Sequence, residues 1–159
     1  MDIVINVHRK ILQCISNNEM LQEYPVSTAK KGVGEQADSE CTPRGRHIIR
    51  AKIGAQAKIN SVFVGRRLTG EIFSEDLRQR YPQRDWILTR ILWLSGLDVG
   101  KNRLGKVDTM RRYIYIHGCP DSDAMGQASS HGCIKMRNSD LVELFDKVSV
   151  GTNVTIIEK

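Results

Sequence analysis

Residues 2–16 read "DIVINVHRKILQCIS", and the period of their apolar positions decides the fold class. Ile3, Ile5 and Val7 alternate with other residues, so all three share one face of an extended segment. "KILQCI" resumes the strand pattern after a short polar break, and Asn17–Asn18 reads as the turn before "MLQEYPVST". Further short apolar runs follow at 46–54, 61–68, 86–94, 111–116 and 153–158. Only two segments carry helix signals. "SEDLRQRYPQRD" (74–85) offers Ser74 as an N-cap and Pro82 as a stop. In "RNSDLVELFDKVSVGT" (137–152), Leu141, Leu144, Phe145 and Val148 repeat at 0, 3, 4 and 7. There Asn138 reads as the N-cap, Asp140 and Glu143 lie in the first turn, and Gly151 ends the helix. The chain reads as mainly β, a β-rich α+β sandwich or barrel with one or two short helices, in a single domain spanning 1–159.

A hydrophobic share of 40% suffices for one core without metal or disulfide staples. No run approaches the roughly 20 apolar residues of a membrane span, so membrane insertion is not expected. "MDIVINVHRKILQC" shows neither the apolar core nor the cleavage site of a secretory signal, which implies a cytoplasmic location, or a periplasmic one had a leader been removed. The formal charge of +6 favours an acidic partner. Aromatic residues make up only 6% and do not alternate with the arginines, which argues against nucleic acid as that partner. Two glycine-bearing loops, 29–45 and 95–109, are long for so small a domain, and Cys41 is expected to be exposed in the first. Cys14, His47, Trp86 and Trp93 read as structural residues.

The chemistry lies in a repeated triplet. His-Gly-Cys occurs at 117–119 and again, fourteen residues on, at 131–133. The four side chains are the donor set of a Cys2His2 zinc site, although one-residue spacing is tighter than the usual two to four. They are also a thiol pair able to oxidise, and, thirdly, a nucleophile with its base. The last reading explains more. "YIYIH" places Tyr113, Tyr115 and His117 on one strand face, with His117 at its end. Gly132 permits a tight turn before Cys133, and consecutive N–H groups of His131, Gly132 and Cys133 would form a nest for an oxyanion. One thiol, one imidazole to take and return its proton, and converging amide donors make an acyl-transfer site that needs no cofactor and no metal.

"IHG" followed by "SHGCIKMRNSD", with "TPRGRHIIRAKIG" upstream and "DLVELFDKVSVGTNVTI" at the end, resembles the YkuD-type L,D-transpeptidase family over residues 3–158. The resemblance implies a β-sandwich of mixed sheets. It implies cleavage of the bond between the L-centre of diaminopimelate and the terminal D-Ala of a peptidoglycan tetrapeptide, through a cysteine thioester. It assigns Cys133 as nucleophile, His117 as base, the Gly118 carbonyl as orienter of the imidazole, and His131 with Gly132 as shapers of the oxyanion and substrate site. Ser130, Lys135 and Arg137 are the expected substrate contacts, peptidoglycan tetrapeptides or muropeptide fragments the partners, and carbapenem β-lactams the expected inhibitors. Two positions depart from the family pattern. Lys135 stands where Arg is common, replacing a bidentate fork by a point charge. Cys119 stands where Thr is common, which raises the idea of a reversible Cys119–Cys133 disulfide. The expected outcome is hydrolysis, an L,D-carboxypeptidase acting in muropeptide recycling, with cross-linking as the alternative and a zinc- or fragment-binding module as the rival of another class.

Overall fold

The computed structural model describes residues 1–159. Eleven strands and two helices follow the chain: β1 (Asp2–Asn6), β2 (Ile11–Ser16), β3 (Glu19–Ala29), β4 (Gly45–Ile53), β5 (Ser61–Val64), β6 (Arg67–Ile72), α1 (Glu75–Arg80), β7 (Ile87–Gly96), β8 (Tyr115–Gly118), β9 (Ala128–Ser130), β10 (Ile134–Met136), α2 (Asn138–Lys147) and β11 (Asn153–Ile157). The first alternation places Ile3, Ile5 and Val7 in the core with Leu12 and Cys14 of β2. Asn17 and Asn18 both adopt positive φ (52° and 62°), the two-residue left-handed turn that matches hairpin twist.

Strand order runs β4-β11-β1-β2-β3-β10-β8-β7, and β7 returns to pair with β4, closing a hydrogen-bonded ring. β5 and β6 extend from β7 outside that ring, and β9 adds to β3. The sheet is mixed: β1–β11, β8–β10 and β3–β9 pair in parallel, the other pairs antiparallel. Closure leaves few unpaired edges, which is how small β proteins avoid edge-to-edge association.

The main core gathers the inward faces of β1, β2, β3, β4, β7, β8, β10 and β11 against Leu141, Leu144, Phe145 and Val148 of α2. Helix α1 is capped by the Ser74 hydroxyl, which accepts the Leu77 N–H at 3.1 Å. Helix α2 starts differently from the sequence expectation. Arg137 occupies the N-cap with no side-chain cap bond, and Asn138 turns inward and is buried. The strand expected over 111–116 is also shortened. Tyr113 sits in a turn at φ 56°, so only Tyr115 and His117 share the β8 face. Trp86 packs in a small cluster with Val62 and Leu88. Trp93 is half-buried, with the Arg66 guanidinium 4.3 Å from its ring. His47 is fully buried on β4, its ring nitrogens meeting Gly45 O and Thr109 Oγ1, both at 2.9 Å. No helix is long and apolar enough to cross a membrane.

Candidate active site

Adjacent parallel strands β8 and β10 bring the two triplets together. Ile134 pairs with Ile116 and Lys135 with His117. Ile116, Ile134 and Met136 point into the main core, so Tyr115, His117, Cys133 and Lys135 fall on the opposite face. One step back in register sets Cys133 beside Tyr115, and the Tyr115 N–H points at Cys133 Sγ over 3.3 Å. Strand spacing and two residues of rise separate the Cα atoms of Cys133 and His117 by about 8 Å, a gap their side chains can span.

His117 is buried, and its Nδ1–H donates to its neighbour's carbonyl, Gly118 O, at 2.7 Å. That bond leaves the lone pair on Nε2, a buried atom with no hydrogen-bond partner. Burial holds the imidazole below its ordinary range, opposed by the Asp85 carboxylate and the bond to Gly118, so the ring rests neutral. Gly118 tolerates no side chain: a Cβ there would lie 2.1 Å from Asn138 Oδ1 and 2.6 Å from Leu88 O.

Cys133 is half-buried, and its thiol donates to Tyr113 O at 3.4 Å, a carbonyl aimed by the left-handed Tyr113. Burial pushes the thiol up to about 12, with the Tyr115 N–H pulling the other way and Asp85 adding to the rise. Solvent on the open side offsets part of that desolvation, so about 12 is an upper bound. Asp85 and Lys135 act on both Cys133 and His117, which places the pair in one electrostatic neighbourhood.

The turn around Cys133 is over-determined. Gly132 is buried at φ 125°, where a Cβ would meet Ile114 Cδ1 at 3.0 Å and Cys41 O at 3.1 Å. The Ser130 hydroxyl donates to Cys133 O at 2.5 Å and accepts the Gly132 N–H at 3.2 Å. Ser130, expected as a substrate contact, is buried, and its hydroxyl is committed to the backbone of Cys133 and Gly132. Nor is the nest whole, since Gly132 N–H is taken, while the Cys133 N–H makes no bond within the chain.

Two residues that sequence reasoning missed brace the same turn. Buried Thr42 donates to Gly132 O at 3.0 Å and accepts the Ala29 N–H at 3.0 Å. Arg112 donates to Cys41 O at 2.6 Å and to Gly34 O at 3.2 Å, tying the 29–45 loop to the rim. The "TPRG" signal marked Thr42 by type; nothing in the sequence marked Arg112 apart from its basic neighbours.

Two cavities adjoin here. One of about 310 Å³ is lined by Cys133, Tyr113, Tyr115, Arg66, Arg112 and Ile87. A larger one, about 400 Å³, carries Lys135, Arg78, Arg84 and Trp86 but not the thiol. Asp85 and His131 line both. Lys135 has no carboxylate within salt-bridge distance, and exposed Arg137 lines neither cavity, because it lies where β10 gives way to α2.

The other readings of the triplets meet the same geometry. Cys119 is buried with Sγ 3.5 Å from Met136 O, and burial pushes its thiol up to about 11. It lies four residues on from Tyr115, just past the end of β8, about 13 Å of extended chain, against the 7 Å or so that a disulfide allows between Cα atoms. A Cys119–Cys133 bond does not fit, and all four cysteines are free. Cys41, expected to be exposed, is half-buried. His131 is exposed and Cys119 faces inward, so the four triplet side chains do not assemble as zinc ligands.

A thiol and a neutral imidazole oriented by a backbone carbonyl, held on one face of a closed mixed β-ring, define a cysteine acyl-transfer site. Similarity agrees. A profile of the YkuD family, the L,D-transpeptidase catalytic domain, matches residues 1–156, and the chain belongs to that family. It is 42% identical over 156 residues to the putative L,D-transpeptidase YqjB of Bacillus subtilis, covering 98% of this chain and 70% of that one. Against the probable L,D-transpeptidase YbiS of Escherichia coli K12 it is 44% identical over 48 residues, 30% of this chain and 16% of the relative. L,D-transpeptidase 3 of Mycobacterium tuberculosis, in complex with a faropenem-derived adduct, shares the fold at TM-score 0.58 and 16% identity, over 98% of this chain and 59% of that chain.

Proposed function

We propose that the protein is a cysteine acyl-transferase that cleaves the L,D bond between diaminopimelate and the terminal D-Ala of peptidoglycan tetrapeptides. The observation that carries this reading is His117, whose Nδ1 is committed to Gly118 O and whose Nε2 is buried without a partner on the Cys133 face. Sγ adds to the diaminopimelate carbonyl carbon as its proton passes to His117 Nε2. The unpaired Cys133 N–H faces the developing oxyanion. Collapse breaks the C–N bond, the proton goes from Nε2 to the leaving amine of D-Ala, and a thioester remains. Lys135, a free ammonium on the same face, meets a substrate carboxylate.

The thioester is resolved by water: a C–O bond forms, C–S breaks and the proton returns to sulfur. The half-open surface of Cys133 favours this L,D-carboxypeptidase outcome, suited to soluble muropeptide fragments such as a cytoplasmic recycling enzyme meets. Cross-linking is the second reading, favoured by the larger cavity beyond Asp85 and His131, which has room for an acceptor amine. Carbapenem-type β-lactams acylate Cys133 by the same addition. The test is incubation with disaccharide-tetrapeptide. Tripeptide and free D-Ala are expected from the wild type and neither from Cys133→Ala. Cross-linked dimer without tripeptide would replace the hydrolytic reading, and no turnover of either kind would end both.

A further inference from the structure

Asn138 turned away from the cap position that its sequence context suggests, and where it went matters for His117. It is buried, and its Nδ2 lies 2.8 Å from Cys119 O, 3.0 Å from Asp121 Oδ1 and 3.0 Å from Asn60 Oδ1. Its Oδ1 accepts the Thr89 hydroxyl at 2.6 Å, and Thr89 Oγ1 accepts the Asn60 N–H at 3.0 Å. One amide thus joins the start of α2, the β7 strand and the segment that follows His117.

The network is costly by ordinary rules. Thr89 is β-branched, fully buried and at φ 76°, a conformation that costs about 1–3 kcal/mol. It lies in a bulge of β7 whose flanking pairs are Leu88 with Gly118 and Ile91 with His117. The bulge is therefore directly opposite the His117–Gly118 peptide. Asn138 Oδ1 and Leu88 O both crowd the Cβ position of Gly118, leaving no room for a side chain there. Asn138 also grips the next carbonyl, that of Cys119. With one flank of Gly118 crowded and the carbonyl after it gripped, the backbone around Gly118 is constrained, and Gly118 O meets His117 Nδ1 at 2.7 Å.

We infer that Asn138, supported by Thr89, is a positioning residue for the base: it fixes the Gly118 carbonyl and through it the tautomer of His117. A proton held on Nδ1 is what keeps Nε2 available on the Cys133 face. If Gly118 O drifts, both tautomers populate, and the share with Nε2–H cannot accept a thiol proton. The inference concerns the base only, and the reaction that the base serves rests on the function proposed above.

The experiment is ¹⁵N NMR of the His117 ring, which needs no substrate, joined to the rate at which a carbapenem acylates Cys133. Wild type is expected to show the Nδ1–H tautomer alone. Asn138→Leu and Thr89→Val are expected to show mixed tautomers and acylation slowed about 10- to 100-fold, with inhibitor affinity changed little. Thr89→Ser, which keeps the hydroxyl, should restore both readouts. Should Asn138→Leu fail to fold, the Thr89 pair carries the test. Any folded variant lacking either polar group that keeps the wild-type tautomer overturns the assignment. A wild type that neither acylates nor turns over tetrapeptide would instead refute the function while the tautomer measurement stands.

Discussion

Alkylation of Cys133 by iodoacetamide, followed across pH, separates two ways of activating a thiol. Burial raises the group to at most about 12, against 9.0 for an unburied one. At pH 7.5 those values correspond to thiolate fractions of about 3 × 10⁻⁵ and 3 × 10⁻², a ratio of roughly a thousand. Higher basicity makes each thiolate more nucleophilic, with a Brønsted slope of about 0.5, so the rate deficit is about the square root of that ratio, near 30-fold. Cys133 should therefore alkylate more slowly than a small-molecule thiol at pH 7.5, by up to about 30-fold, and its rate should still be climbing at pH 9. Because His117 rests neutral, His117→Ala should alter alkylation by less than about threefold. The same change should slow acyl transfer by about 10²–10⁴-fold, since the proton moves only as the carbonyl is attacked. Mass spectrometry of quenched time points, with Cys133→Ala as the blank, gives the rates. A rate already maximal below pH 7, and collapsing in His117→Ala, would mean a preformed thiolate–imidazolium pair and would refute the neutral-pair account.

Other consequences follow from the same contacts. Thr42→Val leaves the Gly132 carbonyl and the Ala29 N–H without their partner, and urea unfolding should register a loss of about 2 kcal/mol or more, with weaker acylation of Cys133. Burial lowers the His47 imidazole to about 4, so between pH 6.5 and 4 the unfolded chain binds a proton that the native one excludes. Stability should fall by about 3 kcal/mol as pH drops through that window and be unchanged by this group above it, a slope measurable by urea titration at several pH values. Lys135→Ala should raise KM for tetrapeptide about tenfold, with a smaller effect on kcat, if the free ammonium grips a carboxylate; an unchanged KM would remove it from the binding site.

Local patterns in the chain were readable because they need only local physics. The alternation of Ile3, Ile5 and Val7, the paired left-handed Asn17 and Asn18, the Ser74 cap and the apolar stripe of α2 all appear where composition places them. Family resemblance supplied the proposed roles of Cys133 and His117, and the β8–β10 register set the two on one face. What periodicity could not show was long-range. The β4–β7 closure joins segments with no shared local signal. The β7 bulge needs Asn138 and Asn60, 49 and 29 residues away, to hold Thr89 in its strained turn. Asn138 is a good capping type, yet it was drawn inward by partners that sequence distance hides, whereas Ser130 was turned onto the backbone of its own near neighbours Gly132 and Cys133. Tyr113 kept the alternating pattern of a strand, yet its backbone turned.

The most direct test is to trap the acyl-enzyme. Brief incubation with tetrapeptide or a carbapenem, acid quench and peptide mapping should locate one covalent adduct on the peptide carrying Cys133, absent in Cys133→Ala and slow to form in His117→Ala. An adduct on any other residue, or product release with no adduct at Cys133 under rapid quench, would contradict the account.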